Sequence, residues 1–182
     1  LGCRRGLERS LRRHLPRRYP LAHPELGLVV LHGQLTTRER KTSEPISSLS
    51  DRPRKPVQHF VGAGAWDDEA VMTELRRHVA EERGDPDAVL VLDPSGFAKS
   101  GAAACGVARQ WCGRLGKVDN CQVGVFLTYL TAQGYAPLDR QLYLPHEWAE
   151  DGGRREETHV PETVTFQENW RIGLDLLDRS GP

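Results

Sequence analysis

The sequence predicts an α+β chain: a helical N-terminal region, then a few strands closed by a helix. Three observations carry this. Asp67 to Arg83 reads as an amphipathic helix, with Asp67 as N-cap and Asp68 and Glu69 in the first turn. Its Val71, Met72, Leu75 and Val79 recur at helical spacing as one apolar stripe. The unbroken apolar run Ala88–Leu92 reads as a strand buried on both faces. That strand delivers Asp93 to its end, before Pro94, Ser95 and Gly96 turn the chain. Finally, Asn120–Thr131 is rich in β-formers, Gln133-Gly134 makes a turn, and Tyr135–Leu144 returns as a partner strand.

Composition narrows the function classes. A chain of 182 residues makes one domain, or one domain with a small appendage. The net charge of zero excludes a polycation, so any contact with nucleic acid must come from local patches. One such patch opens the chain, where seven arginines face one glutamate in the first eighteen residues. Cys3, Cys105, Cys112 and Cys121 form no Cys-x-x-Cys pair, and no histidines stand at finger spacing, which argues against zinc. No apolar run follows the basic start as in a secretory signal, and none approaches the length of a membrane helix. The reading is a cytoplasmic protein with free thiols.

In chain order, residues 1–32 form an Arg-rich, poorly ordered arm punctuated by Pro16, Pro20 and Pro24, with a short helix around Leu7–Leu15. It reads either as a phosphate-contacting arm or as a solvated tail. Residues 33–86 form a helical region: Pro45 opens a turn through Ile46 and Leu49, and Pro56 opens Val57–Val61, stopped by Gly62. With Asp67–Arg83 this reads as a helix-turn-helix-like DNA contact or as a plain helical hairpin. Gly62-Ala63-Gly64 lacks a third glycine, since Asp67 stands there, and Ala98-Lys99-Ser100 lacks the glycine of a P-loop. Nucleotide cradles are thereby rejected. Ser100–Asp119 reads as a long excursion, and residues 149–162 as a charged loop with a mobile tip at Asp151-Gly152-Gly153. A last helix starts at Thr165 or Gln167, with Trp170, Leu174 and Leu177 sharing a face.

Several blocks then carry a family likeness. They are Val89-Leu90-Val91-Leu92-Asp93-x-Ser95-Gly96-Phe97-x-Lys99, Gly106-Val107-Ala108-Arg109-Gln110 and Gly116-Lys117-Val118-x-Asn120-Cys121-Gln122-Val123-Gly124-Val125. A fourth is Leu138-Asp139-Arg140-x-Leu142-Tyr143-Leu144-Pro145-x-x-Trp148. Together with Arg40-Lys41-Thr42-x-Glu44-Pro45-Ile46, Gln58-His59-Phe60-Val61 and Trp66-Asp67-Asp68, they resemble bacterial insertion-sequence transposases with a DDE-superfamily endonuclease domain. The resemblance runs from about residue 33 to the C-terminus.

This resemblance implies that residues 87–182 are the first half of an RNase H-like domain, three antiparallel strands and a helix, ending before the family's second Asp and its Glu. It implies that Asp93 is the first catalytic Asp and a ligand of Mg²⁺ or Mn²⁺, in a centre where two metals drive in-line displacement at phosphorus. Read locally, Asp93 is instead the first residue of an Asp-Pro-Ser-Gly turn. Asp139, on a neighbouring strand, is either a second carboxylate or a structural, DNA-facing residue. Lys99, Arg109, Lys117 and Arg140 are candidate DNA contacts by charge and position, or plain solvated surface. The expected partners are DNA at transposon ends and a second copy or a full-length transposase, with no membrane. The chain is expected to be a truncated, inactive fragment of a DNA transposase. The alternative is a non-catalytic DNA-binding or transposase-regulating protein.

Overall fold

The computed structural model describes residues 24–36, 41–64 and 68–181. The expected helix at Leu7–Leu15 and the Asp67 cap lie outside them. The chain divides into two compact units, residues 1–74 and residues 75–182.

Among its described residues, the first unit has the helices α1 (Pro24–Gln34), α2 (Ser43–Leu49) and α3 (Arg54–Gly62). The apolar run Leu26–Leu31 lies within α1 and is therefore helical. Leu26 and Val29 meet Ile46, Val57 and Phe60 in one buried cluster. The α1–α2 contact is close enough to require glycine at position 33, where a Cβ would come within 2.5 Å of the Ile46 side chain. A further helix, α4 (Asp68–Arg83), runs across the division between the units. Of its expected stripe Met72 and Val79 are buried, but Val71 is 37% exposed.

The second unit is an antiparallel sheet with a helix on one face. Its strands are β1 (Val89–Ala98), β2 (Ala108–Cys112), β3 (Lys117–Thr131) and β4 (Gly134–Leu142). Two short helices, α5 (His146–Glu150) and α6 (Gly152–Glu157), follow, then α7 (Asn169–Ser180). The long β3 is the spine. It pairs with β1 along one side, while β2 and β4 share its other side, β2 beside Lys117–Cys121 and β4 beside Gly124–Thr131. Val125 and Leu127 of β3, with Leu138, pack against Ile172 and Leu176 of α7 and Val79 of α4. Tyr129 borders this core, and its hydroxyl accepts from the Asp85 N–H (2.7 Å), fixing the turn between α4 and β1.

Four expectations are corrected. First, β1 is not buried on both faces and does not end at Asp93. Residues Val89–Leu92 are 37–56% exposed, and the strand continues through Pro94, Ser95 and Gly96 to Ala98. The reason is that, among the described strands, it pairs with β3 alone. The Lys99 N–H donates to the Asn120 carbonyl (3.0 Å), so odd-numbered residues of β1 turn their N–H toward β3 and even-numbered ones outward. Pro94 therefore presents its missing N–H to the open edge, where proline costs no ladder bond.

Second, the excursion Ser100–Asp119 contains a strand, β2, whose hairpin with β3 curls over the helix-bearing face. There Cys112 lies against Gly96, and a Cβ at Gly96 would stand 3.0 Å from the Cys112 Cα. Third, Asp151-Gly152-Gly153 is the start of α6: the Asp151 carboxylate accepts from the Arg154 N–H at 3.0 Å, an N-cap bond that orders the turn. Fourth, α7 begins at Asn169 and buries Ile172, Gly173 and Leu176, leaving Trp170 and Leu174 58% and 51% exposed. Gly173 is where Leu92 of β1 reaches the helix, since a Cβ there would meet Leu92 Cδ1 at 2.9 Å.

Burial also sets the thiol chemistry. Cys112 and Cys121 are fully buried and touch one another, and desolvation pushes the Cys121 thiol up, with Cys112 adding to it. Desolvation likewise raises Cys105, against a lowering hydrogen bond to Thr158. A raised thiol holds less thiolate at neutral pH, and the thiolate is the nucleophile. In the native protein, alkylation mapped by mass spectrometry should therefore find Cys105 slow and Cys112 and Cys121 protected until unfolding. Labelling of Cys112 at the unfolded rate would contradict this packing.

Candidate functional site

Side chains alternate across a strand, so the register sorts the candidate residues onto the two faces of the sheet. Val125, Leu127 and Tyr129 point toward α7; opposite them on β1 stand Pro94, Leu92 and Leu90. Asp93 pairs with Phe126 and therefore lies on the other, open face, with Ser95 and Phe97. The Phe97–Phe126 edge contact, 6.0 Å between centroids, marks that same face. Asp93 is exposed, and its Oδ2 accepts a hydrogen bond from Ser95 Oγ at 2.9 Å.

Asp139 is elsewhere. The β3–β4 register shifts between Leu127 and Thr128, whose partners are Asp139 and Pro137. Leu138 is thus the extra residue of a bulge, and both Leu138 and Asp139 are buried. The Asp139 carboxylate is 1% exposed on the helix-bearing face. There Arg179 Nε of α7 donates to Oδ2 at 3.2 Å, and Arg76 of α4 stands 3.6 Å from the same oxygen. The backbone N–H of Arg140 donates to Oδ1 at 2.7 Å. Arg179 also donates to Gln141 (3.3 Å), which donates to Gln167 (3.1 Å), which donates to Asp175 (2.8 Å). This carboxylate ties two helices to the sheet. It does not join Asp93, which lies across the sheet from it.

The four candidate cations also divide. Arg140 stands level with Asp93 across Phe126, although its guanidinium comes within 3.8 Å of Asp139 Oδ1 around the edge strand. Arg109 pairs with Asn120 on the open face. Lys99 flanks Asn120 from the other side: besides its N–H bond, its carbonyl accepts from Asn120 Nδ2 at 2.8 Å. Lys99, Asn120 and Arg109 therefore make one row across three strands. Lys117 is on the helix-bearing side of β3, ion-paired to Asp119 at 2.8 Å. That hydrogen bond from Lys117, then one from the Asn120 N–H, holds the Asp119 carboxyl below its usual range. Trp111, two residues beyond Arg109 and paired with Val118, is 62% exposed on the open face. It went unnoticed in the sequence, where the alternation of Arg109 and Trp111 with Gln110 and Cys112 was the available signal.

A four-stranded antiparallel sheet with helices is consistent with a partial RNase H-like fold. The chain belongs to the DDE superfamily endonucleases, whose family model matches residues 10–181. It is similar to the "Probable transposase for insertion sequence element IS701" of Microchaete diplosiphon, 27% identical over 123 residues. That match covers 67% of this chain but only 32% of the relative's length. No solved structure matches the chain.

Endonucleases of this superfamily generally depend on divalent metal ions. The described residues include no group of three or more His, Cys, Asp or Glu able to hold an ion. With Asp139 turned away toward arginines, the described residues of the open face carry Asp93 without the further carboxylates a two-metal centre needs. None of the described helices is long and apolar enough to cross a membrane.

Proposed function

We propose that this chain is the DNA-facing first half of a DDE-type transposase domain, acting in the cytoplasm on transposon-end DNA. In this reading Asp93 is one carboxylate of a Mg²⁺ or Mn²⁺ centre, and Lys99, Arg109 and Arg140 contact phosphates on the same face. Lys117, on the opposite side of β3, contributes to the local positive field rather than to that row. The Arg-rich arm at 1–32 and the helical region 33–86 add further DNA contacts. The observation that carries the reading is the placement of Asp93 and the cation row on one open sheet face in a chain of this family. The open edge of β1 suits a further strand from a second copy or a full-length transposase.

The same geometry supports binding without cutting, because among the described residues Asp93 is the one carboxylate on that face, and one carboxylate cannot hold two metals. The chain should bind DNA with an affinity that falls steeply with salt. It should not nick supercoiled plasmid with Mg²⁺ or Mn²⁺, and Asp93→Asn should change neither result. Metal-dependent nicking abolished by Asp93→Asn would overturn the inactivity. A chain that binds no DNA at low salt would overturn the DNA reading itself.

A further inference from the structure

We propose that the β2–β3 hairpin is a contact for an unpaired DNA nucleotide, with Trp111 as the stacking surface and Lys99 and Arg109 as its phosphate clamps. The proposal rests on the DNA reading above and adds the state of the DNA: a base out of its helix.

An indole exposed to 62% on a sheet surface is an unusual outlay for a folded chain, because its burial elsewhere would stabilise the fold. Trp148 shows the contrast: it is 1% exposed, with its Nε1–H donated to the Val107 carbonyl at 2.8 Å. Trp111 lies beside Val118, itself 52% exposed, so the two form a flat apolar step open to solvent. The strand alternation puts Arg109 on the same side of β2, about 7 Å along the strand. Lys99 follows across Asn120, roughly 10 Å from Arg109 at ordinary strand spacing.

The row is held rigidly. Asn120 Nδ2 donates to the carbonyls of Lys99 (2.8 Å) and Gly101 (2.7 Å), which pins the end of β1 to β3. Gln110 Nε2 donates to the Cys121 carbonyl at 2.8 Å and fixes β2 from the other face. Between Lys99 and Cys121 the chain carries Lys99, Arg109, Arg114 and Lys117 against one carboxylate, Asp119. Asp119 is on the opposite side of the hairpin and ion-paired to Lys117, with the Arg109 charge also acting on it, so four cations stand against one carboxylate and the hairpin carries a net positive charge. An aromatic platform flanked by cations is the combination that single-stranded nucleic acid recognises: bases stack regardless of sequence, while phosphates meet the charges.

A duplex keeps its bases stacked inside and presents phosphates alone, so the two components separate experimentally. Binding of the full chain to a fluorescent thymidine homopolymer and to a blunt hairpin duplex is measured over a range of salt. Trp111→Ala should weaken homopolymer binding roughly 5- to 150-fold and leave duplex binding unchanged. Trp111→Phe should restore most of the loss. Arg109→Ala should weaken both probes and reduce the salt slope by about 0.7 on the single strand. Because Trp111 is exposed, Trp111→Ala should melt with the wild type, which circular dichroism checks. Equal affinities of wild type and Trp111→Ala for the homopolymer, or equal losses on both probes, would overturn the stacking role while leaving the DNA reading standing. Failure of the wild type to bind either probe would overturn both.

Discussion

Asp139→Ala should lower the stability of the sheet unit by about 3–5 kcal/mol, the usual cost of deleting one partner of a buried ion pair. The carboxylate is 1% exposed and meets Arg179, Arg76 and the Arg140 N–H together. Its loss removes a buried carboxylate that Arg76, 16% exposed, faces at 3.6 Å, and with it a tie of the sheet to both α4 and α7. A drop of roughly 6–20 °C in the melting temperature is expected for a chain of this size. Asp139→Asn keeps the shape and the acceptor for the Arg140 N–H, so it should cost less. Thermal unfolding followed by circular dichroism reads both. An unchanged melting temperature in Asp139→Ala would show that this carboxylate is not a structural tie.

The second large effect is expected at Trp148. Truncating a buried tryptophan costs about 3–5 kcal/mol. Here the Val107 carbonyl also loses its donor, and the Arg154 guanidinium, 3.8 Å above the ring, loses its platform. Because Val107 stands just before β2, the change should loosen the loop that leads into the hairpin as well as α5 and α6. Trp111→Ala and Trp170→Ala, at 62% and 58% exposure, should stay within about ±0.5 kcal/mol. Urea unfolding of the three variants separates them. Equal midpoints for Trp148→Ala and Trp111→Ala would contradict the burial pattern.

Much of this was legible from residues. The helix ending at Arg83, the long strand through Val123–Tyr129 and the Gly134 turn follow from local pattern, because periodicity, β-branching and turn chemistry act within a few residues. The family blocks singled out Asp93. Local pattern misread what depends on neighbours. Ala88–Leu92 looks like a central strand because apolar content does not reveal whether a second strand lies alongside. Pro94 was the counter-signal, and it is explained by an edge whose donors face outward. The β2 strand was hidden because five residues between glycines and a polar turn carry too little pattern to stand out.

The residues alone thus determined the family and the α+β class, both properties written in contiguous blocks. Which carboxylates share a face was decided only by the tertiary structure. A single bulge at Leu138 changes the alternation of β4, and with it Asp139 turns toward Arg76 and Arg179 instead of toward Asp93. Strand register has a period of two residues, so one inserted residue moves a side chain from one surface of the sheet to the other, and no local sequence pattern records that choice.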